Sequence, residues 1–343
     1  MFYITIDCGT TNSRAYVVDK KGKIYGKATK KVGVKDTAQT GSRDVLHAGL
    51  REIISEAIRV SGVDKSQVKA VLSSGMITSE IGLHEIPHHM APCSAGDLAE
   101  SITKVEDVDI IDDVPVYFVR GIKNSMSEGE QSATKQVGEL DFMRGEEVQL
   151  VGMVAKEDVK LPATVVVLSS HTKFNAIDEN GVVLGSLTTL SGQLREAILV
   201  NTFVGKSVEK RDNAEDESED YFDPEVVRNA AMWIREVGLM RALMFPRFLD
   251  VLLDTKWYER RLFFDALIAA EDMLAIKQLK MLTDKPSNNY YLIGRPERCR
   301  LYEFILKEND PQASVHCITD VNEIDELSIQ GILMVARKGG IVD

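Results

Sequence analysis

Hydrophobic and polar positions alternate from the first residues of the chain. Phe2, Ile4 and Ile6 alternate with Tyr3, Thr5 and Asp7, a period of two that predicts a strand. Arg14 to Val18 predicts a second strand, closed by Lys20-Lys21-Gly22, and Lys23 to Val32 a third, so the chain opens as a meander. The period then lengthens. Leu46, Leu50, Ile53, Ile54, Ala57 and Ile58 make one stripe of a helix over 45–60, with Ser42 and Asp44 as caps. Short apolar runs at Val68–Leu72 and Val114–Val119 predict buried strands, with a Ser94-capped helix over 95–104 between them. Val148, Leu150, Val151, Met153 and Val154 predict an amphipathic helix. Thr164–Leu168 starts a second round of strand, polar loop, strand and hairpin, the last through Asp178-Glu179-Asn180-Gly181. A helix to about Phe203 follows, then helices over about 224–239, 246–253 and 257–279. Strand 290–293, helix 296–307, strand 314–318 and helix 321–338 complete the pattern. A βββαβαβα-like half thus occurs twice, and predicts an α/β protein of two domains, 1–155 and 156–343.

Composition narrows the partners. The 343 residues are 44% hydrophobic and 27% charged, ordinary for a globular protein, and length allows two cores. The net charge of −12, with no basic run, argues against nucleic acid and anionic membrane. Cys8, Cys93, Cys299 and Cys317 are scattered, without CxxC spacing, and predict reduced thiols. A strand at the start predicts no signal peptide, and no apolar run approaches the roughly 18 residues that span a bilayer. The expected location is cytoplasmic. The charged stretch 209–220 has no apolar anchor and predicts a mobile surface loop.

Candidate chemistry gathers at loop positions. Asp7 ends the first strand, Gly9 lets the backbone turn close to a ligand, and Thr10, Thr11 and Asn12 supply a polar tip. Such a tip suits a phosphate, and Asp7 suits Mg2+ held through water; an ordinary hairpin with an edge aspartate explains the same residues. Ser73-Ser74-Gly75-Met76-Ile77-Thr78-Ser79 lies at the C-terminal end of a buried strand, where α/β proteins bind ligands. Glu146 and Glu147 open the 148–154 helix, either as a general base or as an acidic first turn that favours the helix dipole. His84-Glu85-Ile86-Pro87-His88 satisfies HExxH, but Pro87 would break the helix that zinc ligation requires. Gly205-Lys206-Ser207 ends like a P-loop, yet Val200 stands where the first glycine belongs.

Three blocks carry a family resemblance. Ile6 to Ala15 resembles the first phosphate motif of the actin, hexokinase and Hsp70 superfamily, and is closer still to the 2-dehydro-3-deoxygalactonokinases. Asp7, Gly9, Thr10, Thr11, Asn12 and Arg14 keep that pattern; Cys8 and Ser13 depart from it. Gly75 to Pro87 matches a second segment, with Thr78 in place of a glycine. Met143-Arg144-Gly145-Glu146-Glu147 through Leu150 is the most specific signature and is intact. His171, Lys173 and Phe174 match a Gly-Thr-His-x-Lys pattern in which Ser169 replaces glycine. Leu267 to Glu271 resembles a helix near the nucleotide, with Glu271 a ribose candidate. Arg295-Pro296-Glu297-Arg298 follows Gly294 where the family has small residues, the largest departure in the chain.

The resemblance implies a two-domain actin-like ATPase with ribonuclease H-like halves and a nucleotide cleft between the domains. It implies ATP and Mg2+, and transfer of phosphate to the C6 hydroxyl of 2-dehydro-3-deoxy-D-galactonate. Its catalytic residues map to Glu146, with Glu147 as alternative, Asp7 and Lys173. Its nucleotide contacts map to Gly9, Thr10, Thr11, Asn12, Ser170, His171 and Gly294. Its sugar-acid contacts map to Ser74, Gly75, Thr78, Ser79 and Arg144, with Arg120 an added positive charge. The partner is a small sugar acid, and a homodimer is left open. Thr78 and Arg120 keep open a kinase for another sugar or sugar acid. Ser169 and the Arg295-Pro296 turn keep open a catalytically weak nucleotide-binding regulator.

Overall fold

The computed structural model describes residues 1–126, 132–210, 220–284 and 287–343. The chain divides into two compact units, Met1–Pro162 with Ile177–Ser186 and Asp320–Asp343, and Ala163–Ala176 with Leu187–Thr319. The second unit is therefore inserted in the first. The expected division into consecutive halves, 1–155 and 156–343, differs because the C-terminal helix returns to the first unit.

The sheet of the first unit has the order Ile24–Lys30, Ser13–Asp19, Phe2–Cys8, Val68–Gly75, Val116–Phe118, Thr103–Val105. Phe2–Cys8 is antiparallel to Ser13–Asp19, with Asp7 opposite Arg14. It is parallel to Val68–Gly75, with Asp7 beside Ser74 and Cys8 beside Gly75. Alternation sends Ile4, Ile6 and Val17 to one face, where Leu46, Leu50, Ile53, Ile54 and Ala57 of helix Asp44–Ser61 join their cluster. Helix Val321–Lys338 packs on Phe2–Cys8, on Val68–Gly75 and on helix Glu146–Val154.

The last contact leaves no room for a side chain. A Cβ on Gly331 would lie 1.7 Å from the Val148 carbonyl oxygen, and one on Gly152 1.8 Å from that of Leu327. Gly331→Ala tests which effect wins. Alanine gains up to about 1 kcal/mol of helix propensity, whereas overpacking costs about 1–3 kcal/mol, and here the obstacle is backbone. We expect a net loss of up to about 2 kcal/mol, read as a lower urea midpoint at unchanged slope. An unchanged or higher midpoint would show that the helices separate freely.

The second large sheet has the order Val183–Thr189, Thr172–Ile177, Ala163–Leu168, Asn289–Gly294, Ser314–Ile318. Leu168 pairs with Gly294 across parallel strands, as Cys8 does with Gly75. The arrangement of hairpin, parallel neighbour and terminal glycine thus occurs in both units. Helices Pro224–Val237, Phe245–Val251 and Trp257–Thr283 follow, the last burying Phe263, Phe264, Leu267 and Ile268.

Several elements differ from the hydrophobic pattern. Helix Val34–Thr40 and the small sheet of His89–Met90, Ile122–Lys123 and Phe142–Met143 are too short to show a period. The helix expected over 95–104 ends at Glu100, because Thr103–Val105 pairs with Val116–Phe118. Of the expected charged loop 209–220, residues 211–219 lie outside those described. Among the described residues no helix is long and apolar enough to cross a membrane.

Candidate functional site

In the first unit the sheet end brings the three sequence blocks together. Gly75 has φ +90° and a Cβ there would lie 2.6 Å from the Cys8 carbonyl oxygen. Gly145 has φ +109° and packs on Gly75, a Cβ reaching 3.4 Å from its Cα. Both positions demand glycine, for conformation in both and for space at Gly75. The strand that carries Asp7, the turn after Gly75 and the start of the Glu146 helix therefore meet.

The Gly9–Asn12 tip is closed by the Gly9 N–H donating to the Asn12 carbonyl at 2.9 Å. The Val34 and Lys35 N–H groups donate to the Gly9 and Thr10 carbonyls at 3.3 and 2.9 Å, so helix Val34–Thr40 anchors the tip from behind. Thr10, Thr11 and Asn12 are exposed, while Ser13 is buried and donates to the Val32 carbonyl at 2.8 Å. Asp7 accepts from Arg14 Nη1 at 3.1 Å, and both side chains are 42% exposed. Desolvation pushes the Asp7 carboxyl up and Arg14 pulls it down, with a net upward shift. Water on the open side relieves part of that desolvation.

Arg144 faces the turn after Gly75. Its Nη1 donates to Thr78 Oγ1 at 2.6 Å, and its Nη2 to the Ile86 carbonyl at 3.0 Å. Burial lowers the pKa of this guanidinium. Thr78 and Ser79 were expected to contact sugar, but both are buried. Thr78 donates to the Gly75 carbonyl at 3.0 Å and Ser79 to that of Met76 at 2.7 Å. Their hydroxyls hold the turn and, through Thr78, orient Arg144. Ser74 is likewise buried, beside Asp7 in the sheet. Arg120 donates to the Ser101 carbonyl at 3.1 Å.

The two glutamates are not equivalent. Glu147 is fully buried; its Oε2 accepts from the Gly145 N–H at 2.7 Å and its Oε1 has no hydrogen-bond partner. Burial, with Glu146 beside it, pushes its carboxyl up to about 8. Glu147 therefore braces the glycine turn, and burial favours its neutral form. Glu146 is half-buried at the first helical position, within reach of solvent. The HExxH segment is not helical; His84 Nδ1 pairs with Asp107 at 2.9 Å, and His84 and His88 do not share a helical face.

In the second unit, the turn 169–171 leads into strand Thr172–Ile177. The Gln193 N–H donates to the Ser170 carbonyl at 2.7 Å, and Gly192 fits where a Cβ would lie 2.2 Å from the Ser169 carbonyl oxygen. Ser170 and His171 are on this turn, whereas Lys173, a catalytic candidate by resemblance, lies inside the strand and is buried. Arg298 is the residue that sequence reasoning missed. Its Nη1 donates to the Ser169 carbonyl at 2.7 Å and its Nη2 to Thr172 Oγ1 at 3.0 Å. The signal was present: Arg298 lies in the first turn of the helix that follows Gly294, and that strand end abuts Leu168. A cavity of about 1110 Å³ opens beside the turn, lined among others by Ser170, Arg195, Tyr258, Arg295 and Arg298. Glu271 lines a separate cavity of about 300 Å³, so the helix turns this ribose candidate away from the larger one.

Among the described residues no group of three His, Cys, Asp or Glu side chains is arranged to hold a metal. Asp7 is partly open to solvent, and a single carboxylate with water at the other positions fits the way Mg2+ is commonly held.

The family model of 2-keto-3-deoxy-galactonokinase matches residues 7–335. No curated protein matches the sequence. Among solved structures, a Sinorhizobium meliloti protein provisionally named a 2-dehydro-3-deoxygalactonokinase superposes with TM-score 0.70 at 19% identity, over 98% of both chains. Component A of the (R)-2-hydroxyglutaryl-CoA dehydratase of Acidaminococcus fermentans superposes with TM-score 0.51 at 10% identity, over 99% of both. With the repeated sheets, these likenesses show the α/β fold of the two-domain actin-like ATPases.

Proposed function

The chain belongs to the 2-keto-3-deoxy-galactonokinase family, and from that premise we propose that it transfers the γ-phosphoryl group of ATP to the C6 hydroxyl of 2-dehydro-3-deoxy-D-galactonate. Membership makes it a kinase, a phosphotransferase. One observation carries the finer reading: the Asp7 strand, the Gly75 turn and the Glu146 helix meet through glycine contacts. Those are the blocks that resemble the family most closely.

Phosphoryl transfer asks the protein for position and charge rather than covalent chemistry. The exposed Thr10–Asn12 tip and the Ser169–His171 turn suit phosphate oxygens, and the cavity beside the second turn has the size of a nucleotide site. Mg2+ held through water at Asp7 would supply charge neutralisation to the phosphates. Glu146 accepts the proton of the attacking hydroxyl. Arg144, held by Thr78 and Ile86, offers a fixed positive charge for an acidic sugar. Each unit is read as one ribonuclease H-like half.

A panel of 2-keto-3-deoxy sugar acids with coupled ADP detection tests this reading, with NMR of the product to locate the phosphate. The expected result is turnover on the galactonate derivative, phosphorylated at C6. Preference for another sugar acid would change the substrate. ATP binding by calorimetry without turnover on any acid would defeat the kinase reading and leave a nucleotide-binding regulator.

Arg298→Ala tests the nucleotide side separately. It removes two hydrogen bonds that brace the turn, each worth about 1 kcal/mol net. The KM for ATP should rise by up to about thirtyfold, with the KM for the sugar acid unchanged. Equal effects on both constants would count against a nucleotide role.

A further inference from the structure

The helices between Pro224 and Lys256 expose apolar side chains that the kinase reading does not use. Met240 is 84% exposed, Leu252 72% and Leu253 67%, with Val251, Val237, Met232 and Trp233 beside them in sequence and partly open. Trp233 meets Phe245 edge-on at 5.2 Å, and Arg241 lies over the rings of Phe245 and Phe248 at 5.2 and 5.1 Å. Trp233, Phe245, Phe248 and Leu253 also line a cavity of about 480 Å³. Trp233 and Leu253 belong to both sets, so part of this exposed apolar surface borders the recess.

We propose that this surface is the interface through which a second copy of the chain docks. Area is the first argument. Weighted by exposure, the seven apolar side chains of this helical segment sum to roughly 600–700 Å², of the order of the roughly 800 Å² per partner of a standard interface. Charge is the second. The chain carries −12, so two copies repel over most of their surface. Residues 224–256 hold five basic and four acidic side chains, a nearly neutral island in an acidic protein. Shape is the third. A two-fold contact requires that the same patch present both knob and hole, and Met240 or Leu252 of one copy can enter the aromatic recess of the other. A small apolar ligand would fill only the recess and leave Met240, Val251 and Leu252 in water.

The inference is independent of the reaction. Size-exclusion chromatography with light scattering, on full-length protein from about 1 to 100 µM, should give twice the 38.1 kDa chain mass. Met240→Asp combined with Leu252→Asp should give the single mass. Both sites are largely in solvent, so circular dichroism and melting of the separated chain should stay native-like; Met240→Arg alone provides a milder second variant. A wild-type protein that stays monomeric over the whole range overturns the proposal, including one that binds a hydrophobic dye at the recess. A dimer that survives both variants overturns it too, because the interface then lies elsewhere.

Discussion

Asp7→Asn should leave the protein folded and remove at least about a thousandfold of its phosphoryl transfer, the several kcal/mol by which a positioned metal ion stabilises developing charge. The fold should survive because the lost ion pair with Arg14 joins two side chains that are each 42% exposed. Such pairs contribute about 0–1 kcal/mol, and Arg14 remains solvated when its partner becomes neutral. The amide is close in size and keeps the strand position opposite Arg14. Steady-state turnover, Mg2+ titration and melting of the variant decide the matter. Near-normal turnover with unchanged Mg2+ dependence would remove Asp7 from the mechanism.

The second large effect separates the two glutamates. For Glu146→Gln, loss of a general base predicts a rate decrease of about 10²–10⁴-fold, roughly 3–5 kcal/mol of barrier, with ATP binding nearly unchanged. The helix-dipole interaction lost with it is about 0.3–1 kcal/mol, too small for a visible folding defect. Glu147→Gln predicts the opposite pattern. The amide oxygen still accepts from the Gly145 N–H, so the turn should hold. What changes is linkage. The carboxyl rises from 4.5 to about 8 on folding, so between those values the native chain holds a proton that the unfolded chain has released. Stability from this group is fully present below about 4.5 and falls away as pH rises towards 8. Glu147→Gln should flatten that decline, melting above wild type at pH 8 while keeping activity within several-fold. Melting curves from pH 5 to about pH 8, beside turnover of both variants, supply the test. A dead Glu147→Gln with a working Glu146→Gln would move the base by one residue; two active variants would leave this helix without one.

Much of this arrangement is legible in the residues. Period-two alternation marks Phe2–Cys8 and Ser13–Asp19, and a 3.6-residue stripe marks helix Asp44–Ser61, because each element buries one face against the same core. The Met143–Leu150 signature likewise points to the sheet end where Gly145 meets Gly75. Side-chain direction is not legible in the same way. Thr78 and Ser79 read as sugar contacts because hydroxyls after a strand often face ligand, yet in a tight turn the nearest acceptors are its own carbonyls. The family pattern makes Lys173 a catalytic candidate, but strand Thr172–Ile177 begins one residue earlier and takes it into the interior. Arg298 depends on a contact 126 residues back along the chain, which no local pattern encodes. The return of Asp320–Asp343 to the first unit is of the same kind, since an amphipathic helix declares a buried face but not its partner.

That return has a consequence for how the protein is made. Everything in 163–319 except the hairpin 177–186 belongs to the inserted unit, and its strands and helices have all been synthesised before residue 320 is joined. The first unit, although it starts at Met1, stays incomplete until Val321–Lys338 arrives to cover Phe2–Cys8 and to lodge Gly331 against Val148. Domains usually form in order of synthesis, at about 5–20 residues per second. Here the opening strands wait on the final helix, so for roughly ten seconds or more the nascent chain carries one face of its first sheet uncovered. The unit bearing Asp7 and Glu146 thus begins first and finishes last.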